Sequence, residues 1–185
     1  MANFNEGLKL VYKAEYNNDP KKALHQVQGE EFMTYKGINR KAWPNWEGWK
    51  IIDKYITEHK VLSKASPFCD ADPELEKLTQ IFYKKYFWNP NKLDQLTYQH
   101  TADEIFTTGV LTHPKTAAKF AQKVVGLAID GVIGPVSIKK LNEFDWKLFD
   151  KKYDEAEINH YMDLIKANSK FKQYEKGWKN RAVAI

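Results

Sequence analysis

The sequence predicts an all-α protein, and three observations carry that reading. Apolar residues recur every three or four positions along most of the 185 residues. No stretch sustains the apolar–polar alternation of a half-buried strand between turn residues, so at most a small hairpin is expected. Clusters of Pro, Gly, Asn and Asp break the periodic segments at helix-length intervals.

The first helix carries Phe4, Leu8, Val11 and Tyr12 on one stripe, and continuing that stripe lands on Glu15. Asn17, Asn18, Asp19 and Pro20 end it, and residues 16–33 read as a loop or short irregular ribbon. Pro44 and Gly48 interrupt the Trp43, Trp46, Trp49 cluster, which predicts a turn leading into a helix with Trp49, Ile52, Tyr55 and Ile56. Asp72-Pro73-Glu74 is a helix start, with Asp as cap and Pro in the first turn. Leu75, Leu78, Ile81 and Phe82 follow it, and Trp88-Asn89-Pro90 marks the stop. Further helices are expected over about 99–108 and from Pro114 to Val125. Trp146, Phe149, Tyr153, Ile158, Tyr161 and Ile165 mark a long helix, and Phe171, Tyr174 and Trp178 the last. The mixed charges of Lys147–Glu157 read as a solvated helix face.

The length suits one domain with two lobes and is enough to bury a core. Ten Tyr, ten Phe and six Trp make the chain rich in aromatics, usable as core or as ligand platform. A net charge of +5 and a pI near 9.0 suit any polyanionic partner without choosing among them. The single Cys69 rules out an intramolecular disulfide. Residues 1–15 lack a basic segment followed by an apolar core, and no run approaches the roughly 20 apolar residues of a membrane span. No signal peptide and no membrane insertion are therefore expected. His25, His59, His100, His113 and His160 show no metal-ligand spacing, so neither metal nor cofactor is expected. There is no phosphate-binding glycine loop and no Gly-x-Ser-x-Gly elbow.

Asp130-Gly131-Val132-Ile133-Gly134-Pro135 reads as a tight turn between two short helices. Gly131 and Gly134 are expected to supply backbone angles closed to other residues, and Pro135 to start the next helix. With Phe120, Gln122 and Val124 on the preceding helix, the string resembles the signature turn of peptidoglycan-binding helical modules. Upstream stand Ala14-Glu15-Tyr16-Asn17-Asn18-Asp19-Pro20 and Gly29-Glu30-Glu31-Phe32-Met33-Thr34-Tyr35-Lys36-Gly37-Ile38. Together with the C-terminal stretch Lys176-Gly177-Trp178-Lys179-Asn180-Arg181, they resemble glycoside hydrolase family 108. That family comprises N-acetylmuramidases with a lysozyme-like helical fold and a C-terminal peptidoglycan-binding region.

The resemblance implies a catalytic lobe over residues 1–100 and a wall-binding lobe over 101–185. It implies cleavage between N-acetylmuramic acid and N-acetylglucosamine with Glu15 as general acid. The family pattern is a Glu, two glycines and a Tyr, then Asn-Asp-Pro, followed by Gly-Gly-x-Thr-x-Tyr-Gly-Ile. Here Glu15 meets Tyr16 directly, and an ungapped match through Tyr16 and Asp19-Pro20 puts Lys13 at the catalytic position instead. Glu15 is preferred because it is acidic and continues the apolar stripe. The family's Asp before the Thr has no clear equivalent; Glu30, Glu31 and His25 occupy that space, with Glu30 the first choice. Thr34 is the candidate for orienting water or substrate.

A glycosidic oxygen leaves poorly as an alkoxide, so a protonated acid is needed beside it. A Glu ending a buried face is desolvated, which favours its neutral form. A second carboxylate would activate water or stabilise the oxocarbenium-like transition state, and the sequence leaves retention, inversion and transglycosylation open. Tyr16, Tyr35, Trp43, Trp46 and Trp49 are the candidate substrate-binding residues, with the tryptophans equally readable as core. The expected partners are peptidoglycan glycan strands and a holin-type export pore, for a monomer made in the cytoplasm and acting on the wall. An alternative is a wall-binding protein whose catalytic lobe has decayed. DNA binding is not expected, because Val136, Ser137 and Ile138 offer little to read bases at the start of the helix after the glycine turn.

Overall fold

A computed structural model of the chain describes residues 1–27, 29 and 31–183. The protein is mostly helical, as the apolar periodicity predicts. Helix α1 spans Phe4–Tyr16, and a three-stranded antiparallel sheet of two-residue strands follows: β1 Leu24–His25, β2 Thr34–Tyr35 and β3 Ile38–Asn39. Leu24 pairs with Tyr35, and Tyr35 with Ile38. Then come α2 Gly48–His59, α3 Leu62–Ala71 and α4 Pro73–Tyr83, the last running on as a π-helical turn Lys84–Trp88 and a 3₁₀ turn Asn89–Asn91. The remaining helices are α5 Gln99–Leu111, α6 Pro114–Val124, α7 Pro135–Glu143, α8 Trp146–Ala167 and, after a 3₁₀ segment Ser169–Tyr174, α9 Glu175–Ala182.

The chain packs as two compact units, one of Val11–Tyr83 and one of Met1–Leu10 with Lys84–Ile185. In the first, α2 packs on α3 and α3 on β1, around the fully buried Leu24, Tyr35, Ile38, Ile52, Cys69 and Leu75. The Leu24 amide donates to Ser66 Oγ, whose hydroxyl donates to the Pro20 carbonyl, so the segment after α1 is tied to α3. The Asp72 cap accepts from the Leu75 amide at 2.8 Å, as the Asp-Pro-Glu start predicts.

In the second unit α5 packs against both α6 and α8. Every residue from Thr101 to Gly109 is buried, an unusual run for a helix that includes Asp103, Glu104, Thr107 and Thr108. Phe4, Trp88 and Phe106 form an edge-to-face cluster with centroids 5.3–5.9 Å apart. The turn of Asp130–Pro135 is clamped by buried Gln122. Its amide nitrogen donates to Asp130 Oδ1 (2.7 Å) and the Val132 carbonyl (3.1 Å), and its oxygen accepts from the Gly131 amide (2.8 Å).

Two expectations are corrected, and one helix is unforeseen. Gly131 has the positive φ of +76° that favours glycine, but Gly134 caps α7 in extended backbone (φ −101°, ψ −177°) that other residues adopt. The Lys147–Glu157 stretch is not wholly solvated: Glu157 is buried and Asp154 half-buried, because the acids at 150, 154 and 157 recur at helical spacing on one face. Helix α3 is not foreshadowed in the periodicity, since Pro67 interrupts it and Ser63, Lys64 and Ser66 dilute its apolar pattern.

Candidate active site

The last turn of α1 delivers Glu15 and Tyr16. The helix ends there because Asn17 and Asn18 both turn left-handed, at φ 55° and 52°, which Asn tolerates better than most residues. Leu8 and Val11 hold the buried face of the helix, Glu15 ends it half-buried, and Lys13 is exposed on another side.

Facing Glu15 is the turn between β2 and β3. Two residues, Lys36 and Gly37, join the strands with φ of 44° and 86°, the doubly positive geometry of a tight hairpin. A Cβ placed on Gly37 would stand 2.8 Å from Glu15 Oε2, 2.9 Å from its carboxyl carbon and 2.6 Å from the Tyr83 hydroxyl. The hairpin backbone therefore lies directly against the Glu15 carboxyl, and a side chain at 37 would fill the space it occupies. Tyr83, fully buried on α4, donates its hydroxyl to the Lys36 carbonyl at 2.5 Å. Burial, and next the charge of Glu15, push the Tyr83 phenol well above its ordinary range, so it stays a donor.

Lys36 is itself buried, its Nζ bridging Glu76 (2.8 Å) and Asp70 (2.9 Å) beneath the rings of Tyr12 and Tyr16. Burial alone would lower its pKa, but the hydrogen bonds to Glu76 and Asp70 outweigh it and hold the ammonium above the usual lysine value. Glu76 accepts further hydrogen bonds from Tyr12 and Gln80. This ion cluster anchors the hairpin turn that meets Glu15.

Thr34, on β2, accepts a hydrogen bond from the Asn39 side chain across the hairpin at 3.1 Å. Beside it Gly29, Glu31, Phe32, Asn39 and Lys41 line an open concavity of about 420 Å³. Glu30 lies outside the described residues. A second concavity, of about 360 Å³, is lined by residues that include Arg40, Trp46, Trp49 and Asp53. Arg40 forms a two-pronged ion pair with Asp53 at 2.5 and 2.8 Å, and its guanidinium lies over the Trp49 ring.

The aromatic candidates divide by burial. Trp43 and Trp46 keep partial exposure, whereas Trp49 is 3% exposed and donates its indole N–H to the Trp43 carbonyl. Tyr35 does not face a groove. Its side chain is fully buried under Trp46 and its hydroxyl donates to the Cys69 carbonyl, so it supports the hairpin from the core. Tyr16 is nearly buried, with Lys36 over its ring. Gly48 lies under the Trp46 indole, leaving no room for a Cβ. Sequence reasoning missed Lys36, Asp70, Glu76 and Tyr83. The one available signal was Lys36, which stands in the hairpin string where the family pattern has Tyr.

A mostly helical chain with one small three-stranded hairpin sheet has the architecture of a lysozyme-like fold. The chain belongs to the glycosyl hydrolase 108 family, whose model matches residues 14–112, and residues 116–183 match a predicted peptidoglycan domain. The protein is accordingly a glycosidase that acts on peptidoglycan. Nine chains of solved structures are similar to it, among them SagA of Brucella abortus, 20% identical with a TM-score of 0.65 over 97% of this chain and 88% of that one. No curated protein matches the sequence. Among the described residues, no helix is long and apolar enough to cross a membrane.

Proposed function

We propose that the protein cleaves the glycan strand between N-acetylmuramic acid and N-acetylglucosamine, with Glu15 as the general acid. The observation that carries this reading is the close approach of the Gly37 backbone to the Glu15 carboxyl, near enough that a Cβ at 37 would stand 2.8 Å from its Oε2. A general acid must present its proton from a defined place, and backbone packed on one side narrows the directions the carboxyl can face. Lys13, the competing position, is exposed and cannot serve as a proton donor held at a bond. As the glycosidic bond breaks, Glu15 gives its proton to the leaving oxygen. Glu30 or a neighbour then stabilises the cationic sugar or activates water, and Thr34 orients that water.

Residues 1–100 carry out cleavage in this reading and residues 101–185 hold the glycan. The concavity beside Thr34 suits a sugar ring, with Phe32 for the ring face and Asn39, Glu31 and Lys41 for hydroxyls. The reading includes delivery to the wall through a holin-type pore and action as a monomer. Mass analysis of muropeptides released from purified peptidoglycan tests the bond and the chemistry together. Reducing N-acetylmuramic acid ends support hydrolysis at this bond, anhydro ends make the protein a transglycosylase, and binding without release favours the decayed wall-binding alternative.

A further inference from the structure

In the unit that contains α5 and α8, His100, Glu104 and Asp150 converge. His100 and Glu104 stand one helical turn apart on α5, and Asp150 faces them from α8. His100 Nε2 lies 2.8 Å from Asp150 Oδ1 and 3.8 Å from Glu104 Oε1, and the three atoms all fall within 4.8 Å of one another. Tetrahedral ligands held about 2.1 Å from a zinc ion are roughly 3.4 Å apart, a value those two separations bracket.

The independent observation is Glu104. Its side chain is only 2% exposed, and Oε1, the atom aimed into the cluster, has no hydrogen-bond partner. A buried carboxylate oxygen without a partner is costly, and here Asp154, Glu157, Asp150 and Asp103 add repulsion of the same sign. Asp154, one turn beyond Asp150, also has a buried unpartnered oxygen. Glu157 differs, since Thr108 and Tyr161 both donate to it. The arrangement thus crowds carboxyls that cannot all ionise without a cation into one spot, next to an imidazole nitrogen. His100 (26%) and Asp150 (35%) keep that spot open to solvent for an entering ion.

We propose that His100, Glu104 and Asp150 bind a first-row divalent transition cation of the Zn²⁺ type, through one imidazole nitrogen and two carboxylate oxygens. The nitrogen donor selects such ions over Ca²⁺ and Mg²⁺, which prefer all-oxygen shells. The cation neutralises the buried Glu104 and the half-buried Asp150 carboxylates and clasps α5 to α8. Histidine spacing gives no sign of the site, because only one ligand is a histidine and Asp150 lies far from it in sequence.

The test uses the full-length protein, stripped with EDTA, dialysed and titrated with ZnCl₂ by calorimetry, with thermal melts in parallel. One Zn²⁺ should bind per chain and raise Tm by roughly 5–10 °C at a hundredfold excess over Kd. His100→Gln and Asp150→Asn should each weaken binding at least tenfold, while His113→Gln should leave it unchanged. Glu104→Gln gives the sharpest signature: in EDTA it should melt no lower than the parent, because repulsion is relieved, yet gain nothing from Zn²⁺. Absence of binding, equal affinity for Ca²⁺, or binding that survives both His100→Gln and Asp150→Asn would overturn the proposal.

Discussion

Replacing Gly37 by Ala separates what the hairpin turn does for stability from what it does for Glu15. The alanine must hold a φ of +86°, at about 1–2 kcal/mol for a residue with a Cβ in left-handed backbone. Its Cβ also meets the Tyr83 hydroxyl at 2.6 Å, and Tyr83 is buried, so the phenol shifts at the expense of its bond to the Lys36 carbonyl, about 1 kcal/mol more. The sum of ~2–3 kcal/mol lowers Tm by roughly 4–12 °C in a chain of this length. The Glu15 carboxyl must move as well, because the added Cβ would stand 2.8 Å from its Oε2. A displacement of that kind costs about 100-fold in turnover, far more than the lost stability explains. Thermal melts and peptidoglycan turbidity clearance, both well below Tm, measure the two effects. A Gly37→Ala protein that is destabilised as expected but clears peptidoglycan at the parental rate would refute the claim that this contact positions the acid.

Lys36→Met should cost about 3–5 kcal/mol in urea denaturation, since it leaves Asp70 and Glu76 without their shared cation. Burial would raise the Glu76 carboxyl, but its bonds to Lys36, Gln80 and Tyr12 prevail and hold it below the ordinary value. The stabilisation from Glu76 is therefore present above the unfolded pKa of about 4.3 and lost as pH falls through the lower folded value; urea midpoints of Glu76→Gln should show a flatter decline below about pH 4.3. Trp49→Ala should lose ~3–5 kcal/mol as a core truncation, whereas Trp46→Ala should be milder and should diminish any fluorescence quenching by glycan fragments; the reverse ranking would put the platform on the wrong ring. Gln122→Ala, which removes three hydrogen bonds from a buried amide, should cost ~2–3 kcal/mol and speed hydrogen exchange at the Gly131 amide.

Local rules carried much of the fold. The stripe from Phe4 to Tyr12 is a helix whose last turn carries Glu15, Asp72-Pro73 starts one, and Gln122 with Asp130–Pro135 forms a clamped turn, because capping and periodicity are written in neighbouring residues. What stayed hidden depends on partners distant in sequence. Lys36 reads as an ordinary loop lysine until Asp70 and Glu76 arrive from α3 and α4, and Tyr83 as a core aromatic until its hydroxyl meets the hairpin. Tyr35 reads as a possible ligand platform because aromatic side chains carry no sign of which face is buried. Helix α8 shows the same limit: the acids of Lys147–Glu157 read as a solvated face, yet Glu157 is buried where α8 packs on α5 and α6.

The central claim is that Glu15 supplies the proton that breaks the glycan strand. The most direct measurement is muropeptide release by Glu15→Gln, an isosteric change that removes the acid and keeps the shape, beside Lys13→Met and the parent at equal folded concentration. Glu15→Gln should keep a parental melting profile with release reduced at least ~100-fold, and Lys13→Met should give full release. Parental release by Glu15→Gln, or loss of release in Lys13→Met instead, would contradict that claim.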